Sequence, residues 1–230
     1  MTQPFVRTLS AVLPVLLAMF APPAIAQVII SEIMYNPDSY EGGVGANAPP
    51  NQTEWLEIYN TGDEAIAIGG WYLQDEDGRT VALPESATIA PGEAIVLIPG
   101  TQTAEHFREA WETEDTHGFQ VFALAGWAVG DNPMSNLANG PSERNEVLTL
   151  RDAEGETIDE VNYDDEGDWP TDSPDGSSIT LKPDKLDAEA NDNGESWSRS
   201  EAGTLGGWHN KKTDDYNGED TGSPGVVVTG

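Results

Sequence analysis

Between Glu54 and Leu73 the chain alternates apolar and polar residues in a way that few architectures other than a β-sheet can absorb. Leu56 and Ile58 share one face of an extended segment, and Thr61 and Gly62 punctuate it. Ile66 and Ile68 share the next face, Gly69 and Gly70 interrupt, and Trp71 and Leu73 follow. The segment reads as a β-meander with a large aromatic anchor. Leu56, Ile58, Ile66, Ile68, Trp71 and Leu73 are the expected core, joined by Val96 and Ile98 from the apolar run Ala94 to Ile98. The stretch contains no nucleophile beside a base and no metal-ligand cluster, so it argues for scaffold before chemistry.

The flanking sequence extends the same reading. Val28 to Tyr35 is apolar on both faces, as a buried strand is. Asp38 to Thr53 is rich in Gly, Asn and Pro and reads as a long loop. Strands are expected over Thr80 to Leu83 and Phe119 to Leu124, with Gly126 to Arg144 a second long loop. The spacing of Ala104, Phe107 and Trp111 predicts one short helix. Val147 to Leu150 and Glu156 to Tyr163 form a hairpin across Asp152 to Gly155, and Ser178 to Leu181 closes a sandwich. Beyond Lys182 the pattern dissolves into Asp, Asn, Gly and Glu; Trp197 is expected to dock back, and residues 201–230 read as an acidic, flexible tail.

Several spaced motifs carry a resemblance in a consistent order. They are Ser31 to Pro37 (SEIMYNP), Glu54 to Asn60 (EWLEIYN), Gly70-Trp71, Ile89 to Gly92, Asn145 to Asp152 (NEVLTLRD), Gly155, Ile158 to Tyr163, Trp169-Pro170 and Ser177 to Leu181. In these the chain resembles the lamin tail domain family, from about Val28 to about Trp197. The resemblance implies an immunoglobulin-like antiparallel β-sandwich over residues 27–200, with one short helix and long acidic loops. It also implies a domain found in nuclear lamins and in secreted and surface proteins of bacteria, with no enzymatic activity of its own. Catalytic modules that sometimes accompany it are not visible here.

The amino terminus suits the exported branch of that family. Residues 1–26 carry Arg7 and no acid, an apolar run from Leu9 to Phe20, and an Ala24-x-Ala26 ending that fits cleavage before Gln27. The apolar run is roughly half the ~20 residues needed to span a bilayer, so a cleaved signal is expected and no membrane span after its removal. The absence of Cys removes both disulfides and a lipoprotein anchor, and the remaining length is enough to bury one β core unaided.

Charge narrows the partners. With 41 Asp and Glu against 10 Lys and Arg, the formal net charge is −31. Such a field repels nucleic-acid phosphates and anionic head groups, so direct nucleic-acid binding is not expected. The excess of carboxylate suits a salty or calcium-rich setting, where self-repulsion is screened, and equally serves plain solubility.

Candidate chemistry falls on a few clusters. Glu189, Asn191 and Asn193, followed by Gly194, occupy oxygen-ligand positions of a calcium loop, but Ser200 stands where a bidentate Glu belongs. Asp164, Asp165, Glu166 and Asp168 make a second candidate Ca²⁺ cluster, for which an exposed turn is the plainer reading. Glu32, Glu54 and Glu57 could meet across strands as paired acids. His106, His117 and His209 are too dispersed for zinc, which needs three or four converging ligands. Trp111, Trp127 and Trp208 could form a platform for sugars or a protein, whereas Trp55, Trp71 and Trp169 read as packing residues. Asn51-Gln-Thr53 is an N-glycosylation acceptor in a eukaryotic setting.

The expectation is an exported, non-catalytic module that binds a protein or surface glycan and requires no cofactor, with secreted, periplasmic or cell-surface residence. The alternative is a Ca²⁺-binding accessory domain of an extracellular nuclease- or phosphatase-type hydrolase.

Overall fold

The computed structural model describes residues 27–39, 53–128, 134, 137, 146–172 and 174–230. The expected signal segment with Ala24 and Ala26, the candidate acceptor Asn51 and most of both long loops lie outside the described residues.

Two layers face each other, antiparallel in every strand pair but one. The larger sheet has the order β12-β11-β1-β2-β7-β8, built from β1 (Val28–Met34), β2 (Trp55–Asn60), β7 (Ala94–Pro99), β8 (Gln120–Leu124), β11 (Ile179–Leu181) and β12 (Trp197–Arg199). The smaller sheet has the order β10-β9-β4-β5, from β4 (Tyr72–Gln74), β5 (Thr80–Ala82), β9 (Glu146–Arg151) and β10 (Thr157–Tyr163). Two short ribbons complete it, β3 (Ile66–Ala67) with β6 (Thr88–Ile89), and β13 (Trp208–His209) with β14 (Thr221–Gly222). The alternation of each strand sends Ile29, Leu56, Ile58, Leu97, Leu73, Leu150 and Val161 into one core between the layers.

The segment from Glu54 to Leu73 is not a meander of neighbours. β2 belongs to the larger sheet, β3 pairs with β6, and β4 belongs to the smaller sheet. Leu56, Ile58, Ile68 and Leu73 still meet in the shared core, but from opposite layers, with Ile66 and Trp71 half-buried against it. The chain crosses between layers at the glycine pair. Gly70 has φ +78°, and a Cβ on Gly69 would stand 2.0 Å from the Glu85 carbonyl oxygen.

One strand pair is parallel. β8 lies parallel to β7, and the connection between them contains α1 (Ala104–Trp111), the single α-helix among the described residues. A parallel neighbour requires a crossover rather than a hairpin, and the helix supplies it. Thr103 caps it by accepting from the His106 N–H at 3.2 Å.

α1 lies on the outer face of the larger sheet, so that sheet is buried on both sides. Phe107, Ala110 and Trp111 pack with Trp55, Val96, Ile98 and Val121 in a second core. Trp55 meets Trp111 edge-on at 5.6 Å between ring centroids. Tyr216 completes this core, fully buried, with its hydroxyl donating to Gln102 Oε1 at 2.8 Å. Residues 201–230, expected as a flexible tail, therefore form β13 and β14 and cover the outer face beside the helix. Sequence periodicity missed this because the tail contributes single anchors, Trp208, Tyr216 and Thr221, rather than a repeating stripe.

Candidate functional site

The densest set of polar groups lies under that tail. β1 and β2 run antiparallel with Glu32 opposite Glu57, so the two carboxylates leave the sheet on the same face. Both are fully buried. A bulge between Ile30 and Glu32 sets this register, leaving Ser31 out of the pairing, where its hydroxyl donates to Glu57 Oε1 at 2.7 Å.

The chain's own donors fill the pair. Glu32 Oε1 accepts from the Ser178 hydroxyl and from the Ser223 N–H at 2.8 Å, while Oε2 accepts from the Ser223 hydroxyl at 2.6 Å. Ser200 Oγ stands at 3.4 Å from Glu32 Oε1. Glu57 Oε2 accepts from the Gly225 N–H at 2.7 Å. The strap from Thr221 to Gly225 thus seals both acids. It can lie this close because residue 222 is glycine: a Cβ there would stand 2.8 Å from Trp55 and 3.1 Å from Glu32 Oε1. Burial pushes both carboxyls above the usual carboxylate range, and Glu57 rises further because Glu32 adds its charge and fewer donors oppose the shift. Glu54 does not join them; its Oε2 accepts from the Leu137 N–H at 2.9 Å.

A second buried acid closes the sheet on the core side. β11 pairs with β1 only at Glu32 and Ile33, which leaves Ile30 without a strand neighbour there. Asp159 reaches from β10 in the other layer and accepts from the Ile30 N–H at 2.7 Å. Asn191 Nδ2 donates to the same Asp159 Oδ2 at 2.8 Å and to the Ile30 carbonyl at 3.3 Å. Burial raises the Asp159 carboxyl to about 7. Sequence reasoning passed over Asp159, yet a signal existed: in β10 it shares the inward parity of Val161 and Tyr163.

The residues considered for Ca²⁺ fall in two places. Asp164 Oδ1 accepts from the N–H groups of Asp165 and Glu166, at 2.7 and 3.1 Å, and Glu166 and Asp168 are exposed. Asp165 Oδ1 is buried without a partner, as is the hydroxyl of Tyr35. Burial raises that phenol, and the charges of Asp172 and Asp165 raise it further. In the other cluster Glu189 is exposed, Asn191 is fully buried against Ile30, and Asn193 Oδ1 accepts from the Glu195 N–H at 2.9 Å. Ser200, at the loop's last ligand position, is buried beside Ser178. Among the described residues, no three or more His, Asp or Glu side chains converge as a metal site.

The proposed tryptophan platform is corrected by burial. Trp111 and Trp127 have no exposed surface, and Trp208 is half-buried with its indole N–H on the Trp111 carbonyl at 2.9 Å. The dispersed histidines stay apart: His106 and His117 are exposed, and His209 Nδ1 lies 2.9 Å from the Thr221 hydroxyl. Open surface relief occurs instead beside β12. A cleft of about 730 Å³ there is lined by Asp168, Trp169, Glu195, Trp197, Arg199 and Glu201 among others.

No curated protein matches the chain significantly. The chain is similar to a DUF4876 family protein from Bacteroides thetaiotaomicron VPI-5482, known from its crystal structure. The two share 13% identity and a TM-score of 0.42, over 89% of this chain and 72% of that one. Residues 21–165 match the family model of the lamin tail domain, a non-enzymatic immunoglobulin-like family. That match spans more than half of the sequence, and with the two-layer sandwich it establishes that the chain belongs to the lamin tail domain family.

Proposed function

We propose that this protein is an exported, non-catalytic module that holds a protein or a surface glycan through its loops and sheet edges. The observation that carries the reading is the sealed acid pair. Glu32 and Glu57 have the proximity for acid–base work, but every donor around them belongs to the chain and no solvent reaches them. What remains accessible is relief at sheet edges and loops, where sandwich domains bind. The cleavable leader at residues 1–26 supports export to the periplasm, cell surface or medium, and the −31 charge supports a partner other than nucleic acid.

The test combines turnover with binding. The purified protein is incubated with polysaccharides, nucleic acids and phosphoesters, and the same preparation is applied to immobilised glycans and envelope proteins. Retention of one class without product formation is the expected outcome. Turnover of any polymer that disappears in Glu32→Gln or Glu57→Gln defeats the reading.

A further inference from the structure

The larger sheet ends at β12, and the outward edge of that strand is open. Ser200 N–H donates to the Ser178 carbonyl, and β12 is registered with Ser198 opposite Thr180 and Arg199 opposite Ile179. In an antiparallel ladder the hydrogen-bonding direction alternates, so residues 198 and 200 face β11 and residues 197 and 199 face away. Trp197 N–H is taken by the Gly194 carbonyl. Three backbone groups remain along the edge: the Trp197 carbonyl and both the N–H and the carbonyl of Arg199. Among the described residues none of the three has a partner.

The cleft of about 730 Å³ runs beside this edge, with Trp169 forming part of its wall. Trp169 is half-buried, its ring tilted on Trp197 at 6.0 Å, which fixes a flat apolar surface next to the free backbone. The two cations of the cleft are tethered to backbone carbonyls. Lys182 Nζ donates to the Glu195 carbonyl, and the Arg199 guanidinium donates to the carbonyls of Thr171 and Pro174. The exposed carboxylates of Asp168, Glu195 and Glu201 form no ion pair among the described residues. The cleft therefore presents a strand edge, an aromatic wall and three exposed carboxylates against two tethered cations, a small net negative charge within a strongly acidic molecule.

We propose that this edge receives an extended, basic peptide segment of a partner protein, which adds as a further strand beside β12. This deepens the binding-module reading and rests on it. Main-chain hydrogen bonds to Arg199 and Trp197 set the register, alternate apolar side chains rest on Trp169, and the intervening Lys or Arg side chains face Asp168, Glu195 and Glu201. The charge of −31 steers a cationic segment to the site and repels a second copy of this chain. With only three backbone groups in the ladder, the side-chain contacts carry much of the affinity. Glu195, Trp197 and Glu201 all lie beyond residue 165, outside the stretch that the family model matches.

Two labelled peptides of equal charge test it on the whole protein, an alternating Lys-Val decamer and an alternating Lys-Pro decamer that cannot extend as a strand. The Lys-Val peptide binds about tenfold tighter or better, and loses about that factor in Glu195→Lys/Glu201→Lys, two exposed changes that leave circular dichroism and Tm in place. On binding, the Arg199 amide becomes protected from hydrogen exchange. Equal binding of the two peptides, indifference to the charge reversal, or an unprotected Arg199 amide overturns strand addition. If the Lys-Val peptide fails while an immobilised glycan or envelope protein is still retained, the inference falls and the broader function stands.

Discussion

Asp159 and Asn191 form a unit whose protonation can be read from what it leaves unpaired. Asp159 Oδ1 and Asn191 Oδ1 are both buried without partners, while Asp159 Oδ2 already accepts twice. A proton on Oδ1 supplies a donor at the one carboxyl oxygen that no donor reaches, and removes the charge that burial penalises. The folded pKa of Asp159, about 7, lies above the value near 3.9 of an unfolded Asp. The folded state therefore binds the proton more tightly. The resulting stability is complete below about pH 4 and is lost as pH rises through about 7. Glu32 and Glu57 shift in the same direction, so they add to the trend. Tm is expected to be several degrees higher at pH 5 than at pH 8, the reverse of ordinary acid lability. Asp159→Asn keeps an acceptor for the Ile30 amide and supplies the missing donor, so thermal melts of this variant across that range should show a flatter profile. A Tm that falls from pH 8 to pH 5 contradicts the assignment. Glu32 and Glu57 stood out in the sequence as acids within apolar strands, and their meeting is a matter of register. Their partners Ser178, Ser200 and Ser223 were illegible, because a serine carries no periodic signal and these three come from distant parts of the chain.

At the scale of elements, the helix and the strap share one task, to cover the outer face of the larger sheet. The helix was legible from Ala104, Phe107 and Trp111, and the structure places it at Ala104–Trp111. Its cap is exposed to a simple check: Thr103→Ala should cost about 1 kcal/mol in denaturant unfolding, through loss of the bond to the His106 amide. The strap makes a larger contribution. Removing residues 211–230 strips Tyr216 from Phe107 and Trp111 and leaves Glu32 and Glu57 with unfilled acceptors. A loss of at least about 3 kcal/mol is expected, since each unsatisfied buried group costs ~1–3 kcal/mol. Binding of a hydrophobic dye should rise with it. An unchanged unfolding midpoint would show that the strap does not hold the sheet. Strand existence was readable from alternation, but partner choice was not. β2, β3 and β4 follow one another in sequence and part into three sheets, because the Gly69-Gly70 crossing is a three-dimensional event that looks like an ordinary bend in one dimension.

For the whole molecule, 41 acidic residues on a sandwich with few paired cations make repulsion a global term. Raising NaCl from low to molar concentration shortens the Debye length from ~30 to ~3 Å, and stability should rise across that range before levelling. Chemical unfolding by urea, which carries no charge, at several salt concentrations measures it; a midpoint that falls with NaCl would mean that specific ion pairs outweigh the repulsion. The family likeness and the fold class are both legible in the sequence, because lamin-tail motifs sit on strands whose spacing the sandwich dictates. The stretch from residue 201 onward is not, since its anchors are solitary.

That division has a consequence for the order of assembly. Ser223 binds a carboxylate 191 positions earlier in the chain, and it reaches the molecule only after every strand of the larger sheet has been made. Until then Trp55, Phe107 and Trp111 have no tyrosine over them and two carboxyl groups face water. A nascent polypeptide in this condition is soluble through its unshielded acids and adhesive through its bare rings, and the arrival of residues 216–225 converts the one state into the other.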